Sequence, residues 1–383
     1  MEKLYDKDAY MTEFSAVCEK CFPADGGYCV ILDKTAFFPE AGGQDCDTGT
    51  LGGQRVLRVE TENDTVMHYV KEPIAEGSTV TGKIDWDIRF RKMQHHSAEH
   101  IISGLVHSMY GFDNTGFHLS DKEVTMDYGG ELTEEQVREI EASANRAVQD
   151  NRVITAEYPG PERLKKMQYR AKLDLTENVR IVTVDGIDVC ACCAPHVGHT
   201  GEIGLIKITD VMRHRGGVRM RMICGMDAYY DCSRKQEETK KVSVLFSAAQ
   251  DEIAAAAEQR LEEISQLKQK IGTLSRSLAE ERAKQIPQTE GNICVFETDA
   301  DMNMLQNIVN ICKEKCTGFA AAMSGDDKNG YSYIIAGENV PLRTLAVQIN
   351  KALNGRGGGN DGMIRGRFAS SRDTINKYLS ELC

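Results

Sequence analysis

The chain has 383 residues, of which 41% are hydrophobic and 27% are charged, and its net charge is −12. This composition excludes a disordered chain and broad nonspecific binding to nucleic acid, and no apolar run approaches the roughly 20 residues that cross a membrane. Thirteen cysteines exclude a fully paired disulfide framework, and a charged N-terminus without an apolar signal core predicts a cytoplasmic protein with free or metal-binding thiols.

Residues 1–85 have the pattern of a small antiparallel β-barrel. Short apolar segments are separated by Gly and Asp breaks and predict strands at 28–32, 54–58, 65–70 and 79–84. After the first of them comes the stretch 35–44, Thr-Ala-Phe-Phe-Pro-Glu-Ala-Gly-Gly-Gln, which predicts a loop with consecutive glycines.

Residues 86–226 predict an α+β domain. A helix begins near Asp87 and carries three histidines. A second, amphipathic helix follows Thr133, where Gln136 completes a capping box with the threonine. Strands are predicted at 115–118, 123–128, 153–158, 179–184, 203–208 and 218–224.

Residues 227–286 contain no internal proline and predict one long helix or short coiled coil, which Pro287 ends. Apolar residues recur there in steps of three and four, at Leu261, Ile264, Leu267, Ile271, Leu274 and Leu278. A spacer or a dimerisation arm suits such a helix better than a catalytic role.

Residues 287–383 predict a compact α/β unit, with strands at 293–296, 318–323 and 331–336 and helices at 302–316 and 341–353. A glycine-rich stretch follows at 355–362. Its backbone N–H groups can approach a phosphate, which Arg356, Arg365 and Arg367 could neutralise. The stretch lacks the Gly-Lys-Ser/Thr ending of a nucleotide P-loop, and a purely structural turn is the alternative.

Two residue pairs, far apart in the chain, predict one metal site. His96 and His100 are four apart and lie one above the other on a helix face. Cys192 and His196 lie in a loop with proline and glycine. Thiolate and imidazole together are a zinc-type ligand set. The alternatives are a polar helix face with histidines and a buried structural cysteine.

Three stretches occur in a characteristic order: 35–44, His96-x-x-x-His100, and Cys192-x-x-x-His196 with Thr-Gly-Glu-Ile-Gly after it at 200–204. Together they resemble the alanyl-tRNA editing proteins of the AlaX family, long type. Residues 219–225, the long helix and the glycine-rich unit continue the likeness, and that last unit is similar to the DHH-associated domain that ends alanyl-tRNA synthetases. This chain departs from the family's Cys-Gly-Gly-Thr-His, since it has Cys-Cys-Ala-Pro-His at 192–196.

The resemblance implies a multidomain α+β protein. Its expected parts are a β-barrel (1–85), a zinc-containing editing domain (86–226), a helical or coiled-coil linker (227–286) and a C-terminal α/β DHH-associated domain (287–383). It implies trans-editing, in which zinc-assisted ester hydrolysis deacylates tRNA(Ala) mischarged with serine or glycine. Discrimination then depends on the serine hydroxyl, because a site that hydrogen-bonds a hydroxyl rejects the analogue lacking it.

The site residues expected from this resemblance fall into four groups. His96, His100, Cys192 and His196 would bind Zn²⁺, and because four protein ligands close a tetrahedral site, His196 binds weakly or the ion expands its coordination. Thr35 and Gln44 would line the catalytic pocket, with Gly42 and Gly43 at the substrate. Glu99 is a candidate general base because it adjoins His100 in the sequence, but its position about 100° round the helix from His100 favours a solvent-facing side chain. The tRNA contacts are expected at Arg89, Arg91, Lys92, Arg213, Arg215, Arg219, Arg221, Arg356, Arg365 and Arg367.

Two other functions fit the same residues. A zinc hydrolase of another substrate, such as a peptidase, is disfavoured because Glu99 does not directly follow the first histidine, as the base of His-Glu-x-x-His does. A non-catalytic tRNA- or RNA-binding protein with a structural zinc is the other. The expected partners are tRNA(Ala) and a second copy of the chain, bound through the long helix and the C-terminal domain.

Overall fold

The computed structural model describes residues 1–120, 124–171, 178–338 and 340–382. They form two compact units, Met1–Thr239 and Lys240–Cys383. None of the helices in these ranges is long and apolar enough to cross a membrane. The mixed α+β character predicted from the sequence is confirmed, while the finer boundaries at residues 85, 226 and 286 stay predictions.

Sixteen strands and five helices are described from the first unit, and the fifth helix runs on past Thr239. The strands are β1 (Glu2–Lys3), β2 (Glu13–Ala24), β3 (Gly27–Leu32), β4 (Lys34–Thr35), β5 (Gly49–Leu51), β6 (Gln54–Arg55), β7 (Arg58–Glu62), β8 (Thr65–Val70), β9 (Thr79–Ile84), β10 (Asn114–Leu119), β11 (Val124–Tyr128), β12 (Ile154–Glu157), β13 (Ile181–Val184), β14 (Asp188–Ala191), β15 (Ile206–His214) and β16 (Gly217–Cys224). The helices are α1 (Leu4–Lys7), α2 (Trp86–Tyr110), α3 (Glu134–Gln149), α4 (Pro161–Leu164) and α5 (Gly225–Phe246), with a 3₁₀ turn at Thr200–Ile203.

Seven of the N-terminal strands pair antiparallel in one sheet, in the order β6-β5-β9-β2-β3-β8-β7, while β1 and β4 form a separate parallel pair. Alternate residues of β8, Val66, His68 and Val70, are buried, because successive side chains of a strand point to opposite faces. The end strands β6 and β7 are not paired with each other in the described residues, so the predicted barrel is not closed by hydrogen bonds there. The predicted strand at 54–58 is instead split between β6 and β7.

Helix α2 packs against the sheet β10-β11-β16-β15 and the sheet β12-β13-β14. Its apolar residues Met93, Ile101 and Ile102 are fully buried in the largest core of this unit. Helix α3 begins with the predicted capping box, in which Thr133 and Gln136 exchange side-chain to backbone hydrogen bonds. The loop between β14 and the 3₁₀ turn contains residues 192–199 and lies against α2.

The long helix predicted for residues 227–286 is interrupted, because residues 247–252 separate α5 from the next helix, α6 (Ile253–Lys284), which carries the predicted apolar positions. Ser247 has a left-handed φ of 51°, and the Ser243 hydroxyl donates to the carbonyl of Ala248. A left-handed residue ends the helical hydrogen-bond ladder without any glycine or proline to announce it.

The second unit combines α6 with a five-stranded sheet in the order β17-β18-β19-β21-β20. Its strands are β17 (Ile293–Glu297), β18 (Phe319–Asp326), β19 (Gly330–Gly337), β20 (Arg356–Gly359) and β21 (Met363–Phe368), and its further helices are α7 (Met302–Cys312), α8 (Leu342–Ala352) and α9 (Arg372–Glu381), with a 3₁₀ turn at Lys313–Lys315. The β17–β18 pair is parallel and the others are antiparallel. The glycine-rich stretch predicted as a loop therefore includes an edge strand, β20.

Candidate functional site

The four predicted metal ligands lie together in the first unit. Helix α2 carries His96 and His100 one turn apart on a buried face. The loop after β14 carries Cys192 and His196. One ligand atom from each side chain lies within 4.8 Å of the other three. The Cys192 Sγ is 3.5 Å from the His96 Nε2 and 3.3 Å from the His196 Nε2.

Backbone contacts hold the cysteine loop against α2. The buried guanidinium of Arg180 donates to the carbonyl oxygens of Cys192 (3.1 Å) and Ala194 (2.8 Å). The Val197 N–H donates to the Ser97 Oγ at 3.3 Å. These contacts fix both ends of the short segment between the two loop ligands.

Each of the three imidazoles has a partner at its Nδ1, which leaves its Nε2 for a metal. The His96 Nδ1–H donates to the Gln44 Oε1 at 2.8 Å, and the His100 Nδ1–H donates to the Asp188 Oδ2 at 2.9 Å. The His196 Nδ1 is 3.0 Å from the Ser97 Oγ. Such outer partners orient the ring of a metal-ligating histidine and select its tautomer. The donor set, three imidazole Nε2 atoms and one thiolate, fits zinc.

Ionisation of these groups also suits a cation. Burial disfavours a charged Cys192, but electrostatic attraction to the neighbouring His96 and His196 rings and hydrogen bonds from His100 and His196 outweigh it and hold the thiol pKa well below its usual value. Burial lowers the pKa of His196 to about 3. For His100, the hydrogen bond to Asp188 and the neighbouring thiolate outweigh burial and raise the pKa well above the ordinary value. Metal ligands bind deprotonated, so a cation would replace that proton beside the thiolate.

A second group of metal-type side chains, His100, Asp188 and Cys190, also lies within 4.8 Å. Asp188 is held by Arg170, whose Nε and Nη2 donate to its two oxygens at 2.7 and 2.8 Å. Burial raises the pKa of Cys190 to about 11, so it is a thiol rather than a thiolate. This group therefore orients His100 through a hydrogen bond at its Nδ1 and is less suited to bind a metal ion of its own.

The glycine loop predicted at the substrate lies beside the metal ligands. Gly42 and Gly43 both have left-handed backbones, with φ of 60° and 82°. A Cβ at Gly42 would be 3.5 Å from the Cys193 Sγ, and one at Gly43 would be 2.3 Å from the Phe117 carbonyl oxygen. Gln44 follows, fully buried, and its Nε2 has no hydrogen-bond partner in the described residues. A buried amide with two free N–H groups is costly unless a ligand meets it.

Thr35 is fully buried, and its Oγ1 is 2.8 Å from the His68 Nε2. The His68 Nδ1 lies 3.2 Å from the Val30 carbonyl, which can only accept, so the Nδ1 carries the proton of the neutral ring. Thr35 then donates to His68 and accepts from the Phe37 N–H, so it has only acceptor capacity left for a substrate. No hydrogen bond joins Thr35 to the four metal-ligand side chains in the described part of the chain.

The prediction that Glu99 faces solvent is wrong, because the residue is only 4% exposed. Residues three apart lie on one helix face, so Glu99 shares the face of His96 as well as adjoining His100. Its Oε1 accepts from the Ser103 Oγ at 2.7 Å and the Asn114 Nδ2 at 2.6 Å. The prediction considered only the angle to His100 and missed the second histidine.

The predicted tRNA contacts of the first unit differ in availability. The prediction that Lys92 contacts tRNA is wrong. The residue is buried and its Nζ donates to the Cys46 carbonyl at 2.7 Å, so it does not reach a phosphate in this conformation. Arg91 is ion-paired with Asp227 at 2.7 Å, and Arg219 binds both oxygens of Asp127. Arg215 is exposed at the turn between β15 and β16, and Arg213, near the end of β15, is exposed with its Nε 3.7 Å from the Glu131 Oε1.

Three arginines of the second unit share one face of the hairpin β20–β21. Arg356 pairs directly with Arg367, and Arg365 lies two residues along the same strand. All three are exposed, and Arg367 also donates to the Asn329 carbonyl. Like charges directly opposite each other destabilise a sheet. A cluster of exposed arginines of this kind is therefore typical of a surface that binds anions.

Several site residues were not identified from the sequence. Asp188, Arg170 and Arg180 support the ligands, yet each is a common residue in a strand or loop without a spacing signal. The prediction that Arg89 contacts tRNA is wrong, because its side chain is fully buried and its ion pair with Asp47 (Nε–Oδ1 2.8 Å) joins α2 to the loop after β4. The only available signal was that Asp188 adjoins the cysteine-rich stretch.

Comparisons with known proteins agree with this geometry. Residues 6–88 match the model of class II (A) tRNA synthetases, and residues 179–221, which include Cys192 and His196, match the model of the threonyl and alanyl tRNA synthetase second additional domain. The alanyl-tRNA editing protein Aarsd1 of Rattus norvegicus is 27% identical, over 100% of this chain and 98% of the relative. The homologue of the same name in Danio rerio is 25% identical, over 98% and 96%.

The alanine–tRNA ligase of Ignicoccus hospitalis is 30% identical over 74% of this chain, which spans 32% of the ligase. Among solved structures, the C-Ala domain of Aquifex aeolicus alanyl-tRNA synthetase matches 24% of this chain and 87% of that chain, at 20% identity and a TM-score of 0.20. A TM-score this low is no evidence for a shared fold.

The four-ligand His/Cys centre therefore lies in a unit whose residues 179–221 are similar to the second additional domain of threonyl- and alanyl-tRNA synthetases. The resemblance of this protein to the alanyl-tRNA editing proteins is confirmed by similarity over the whole chain. The protein is AlaX-like from end to end.

Proposed function

We propose that this protein is a trans-editing hydrolase that removes serine or glycine, or both, from mischarged tRNA(Ala), with zinc at His96, His100, Cys192 and His196. The observation that carries the proposal is the convergence of these four ligand atoms beside a buried amide that lacks a partner, in a chain that is AlaX-like throughout.

The chemistry asks little of the protein beyond positioning, because an aminoacyl ester is already activated. When bound, a zinc ion supplies Lewis acidity at the ester. Asp188, Gln44 and Ser97 hold the three imidazoles with their Nε2 atoms toward the centre. The free Nε2–H groups of Gln44 can donate to an oxygen of the acyl group.

Thr35 is the proposed discriminator of the serine hydroxyl. Because its own proton is donated to His68, Thr35 can accept a hydrogen bond from a serine O–H but has nothing to donate. Thr35→Val should lower the ratio of the seryl to the alanyl hydrolysis rate. An unchanged ratio would reject Thr35 as the discriminator.

The tRNA body is proposed to contact the exposed arginines. In the first unit Arg213 and Arg215 are available for this role, and in the second unit Arg356, Arg365 and Arg367 form one cationic face. Arg91 and Arg219 would have to exchange a carboxylate partner for a phosphate. Phosphate contacts make binding depend on salt.

A second copy of the chain is the proposed partner of α6. A stripe of leucines and isoleucines repeats at the a and d positions of a heptad and is exposed: Ile264, Leu267, Ile271, Leu274 and Leu278. Ala279 and Ala283, at other heptad positions, are fully buried in the core of the second unit. Ile at a with Leu at d favours a parallel two-stranded coil, in which Glu263 of one copy approaches Lys268 of the other. Ile271→Lys should convert the dimer to a monomer, as measured by sedimentation. A wild-type protein that sediments as a monomer would refute dimerisation through α6.

The decisive experiment follows deacylation of Ser-tRNA(Ala), Gly-tRNA(Ala) and Ala-tRNA(Ala) by the zinc-loaded protein and by Cys192→Ala. We expect loss of the mischarged esters, sparing of Ala-tRNA(Ala), and no activity in the variant. Hydrolysis of none of the three would favour a non-catalytic zinc-containing RNA-binding protein. Cleavage of peptides alone would favour a different zinc hydrolase.

A further inference from the structure

The two carboxylate oxygens of Glu99, beside the metal ligands, differ in their hydrogen bonding. Its Oε1 accepts two hydrogen bonds, from Ser103 and Asn114, and the Tyr128 hydroxyl lies 2.9 Å from the Ser103 Oγ behind them. Its Oε2 is 3.8 Å from the His100 Nε2, the nitrogen that points to the centre. No hydrogen bond to this Oε2 occurs within the described residues.

The other carboxylate next to the ligands is placed differently. Asp188 lies on the Nδ1 side of His100, and both of its oxygens are taken by Arg170. Glu99 is thus the carboxylate that can offer an oxygen on the Nε2 side. A buried carboxylate oxygen without a hydrogen bond is costly unless a donor on a ligand meets it.

We propose that the Glu99 Oε2 binds the α-ammonium group of the aminoacyl ester and so restricts the site to esters of free amino acids. The inference rests on the proposed function and adds to it the group that recognises the amine. An ester carbonyl at the centre puts the α-ammonium group only two bonds from the carbonyl carbon, within reach of a carboxylate beside His100. An ammonium group offers three charged donors, and charge-assisted hydrogen bonds are stronger than neutral ones.

Glu99→Gln tests this with little disturbance of the fold. The glutamine Oε1 can still accept from Ser103 and Asn114, so its NH₂ replaces the Oε2 and presents a donor where an acceptor was. Glu139→Gln is the matched control, because Glu139 is exposed on α3 and, among the described residues, its side chain accepts a hydrogen bond only from the Tyr110 hydroxyl. Equal zinc content in all three proteins shows that the ligands are intact.

The substrates are Ser-tRNA(Ala) and glyceroyl-tRNA(Ala), in which a hydroxyl replaces the α-ammonium group. We expect Glu99→Gln to lower kcat/KM for the seryl ester by roughly tenfold to a hundredfold and to leave the glyceroyl ester almost unchanged. A proportional loss on both esters would show that Glu99 acts in proton transfer or in structure and would overturn the proposal, as would no loss on either.

A binding measurement separates this inference from the proposed function. The probes are 3′-amino-3′-deoxyadenosine carrying serine or glyceric acid in a stable amide link, titrated into the zinc-loaded full-length proteins. The wild type should bind the seryl probe more tightly, and Glu99→Gln should remove most of that preference. Equal affinity of the wild type for both probes refutes the role of Glu99 even if editing is observed, and a preference that Glu99→Gln removes supports it even if no deacylation occurs.

Discussion

Replacing Asp188 by asparagine tests whether the support behind His100 matters for metal binding. In the wild type one carboxylate accepts from the His100 Nδ1–H and from two N–H groups of Arg170, with all three distances between 2.7 and 2.9 Å. Asparagine can still accept from the imidazole, but its NH₂ group faces a guanidinium that needs an acceptor. The substitution therefore changes charge and hydrogen bonding while preserving shape.

The expected magnitude has two parts. Loss of an outer partner of a ligating histidine lowers metal affinity about tenfold to a hundredfold, which is about 1.4 to 2.8 kcal/mol. Breaking a buried ion pair costs about 3 to 5 kcal/mol of stability. The Arg170 side chain is 15% exposed, so water compensates part of its loss and we expect about 3 kcal/mol or less.

Zinc affinity is measured by competition with a chromophoric chelator, and the free energy of unfolding by urea titration of the metal-free protein. Asp113→Asn is the control, because Asp113 is exposed and its one ion pair within the described residues is with His107. Zinc affinity of Asp188→Asn equal to that of the control would refute the role assigned to Asp188. A lower zinc affinity of Asp188→Asn without a lower free energy of unfolding would show that Asp188 acts on metal binding and not on the fold.

Two further predictions concern other parts of the chain. Burial lowers the pKa of His68 from 6.5 to about 4, so its neutral ring stabilises the fold fully above pH 6.5, and this contribution is lost as the pH falls toward 4, by about 2 kcal/mol at pH 5. His68→Gln should remove this pH dependence from the free energy of unfolding measured in urea. Parallel plots of that free energy against pH for wild type and variant would contradict the role of His68. The triple change of Arg356, Arg365 and Arg367 to glutamine should raise KM for tRNA and make its salt dependence shallower, whereas Arg138→Gln on α3 should not. A KM indifferent to the triple change would exclude this face as a tRNA contact.

Local patterns in the sequence determined the elements that hold the site. Strands β8 and β9 have the bounds that alternation predicted, and the capping box of Thr133 and Gln136 is present. The i, i+4 spacing of His96 and His100 placed both on one face of α2. Such features depend on neighbours within a few residues, so the sequence alone defines them. The pairing of these histidines with Cys192 and His196 was predicted from ligand chemistry and family resemblance rather than from local structure.

The tertiary structure alone decided which side chains are available. Lys92 and Glu99 are charged residues that a sequence places at the surface by default, yet both are buried because residues distant in the chain, Cys46 and Asn114, supply their hydrogen bonds. Asp188 became part of the site because Arg170 and His100 meet it in space. The break after α5 likewise follows from a left-handed Ser247, a conformation that serine adopts only in a suitable context. Burial and partner choice depend on long-range packing, and no local pattern specifies them.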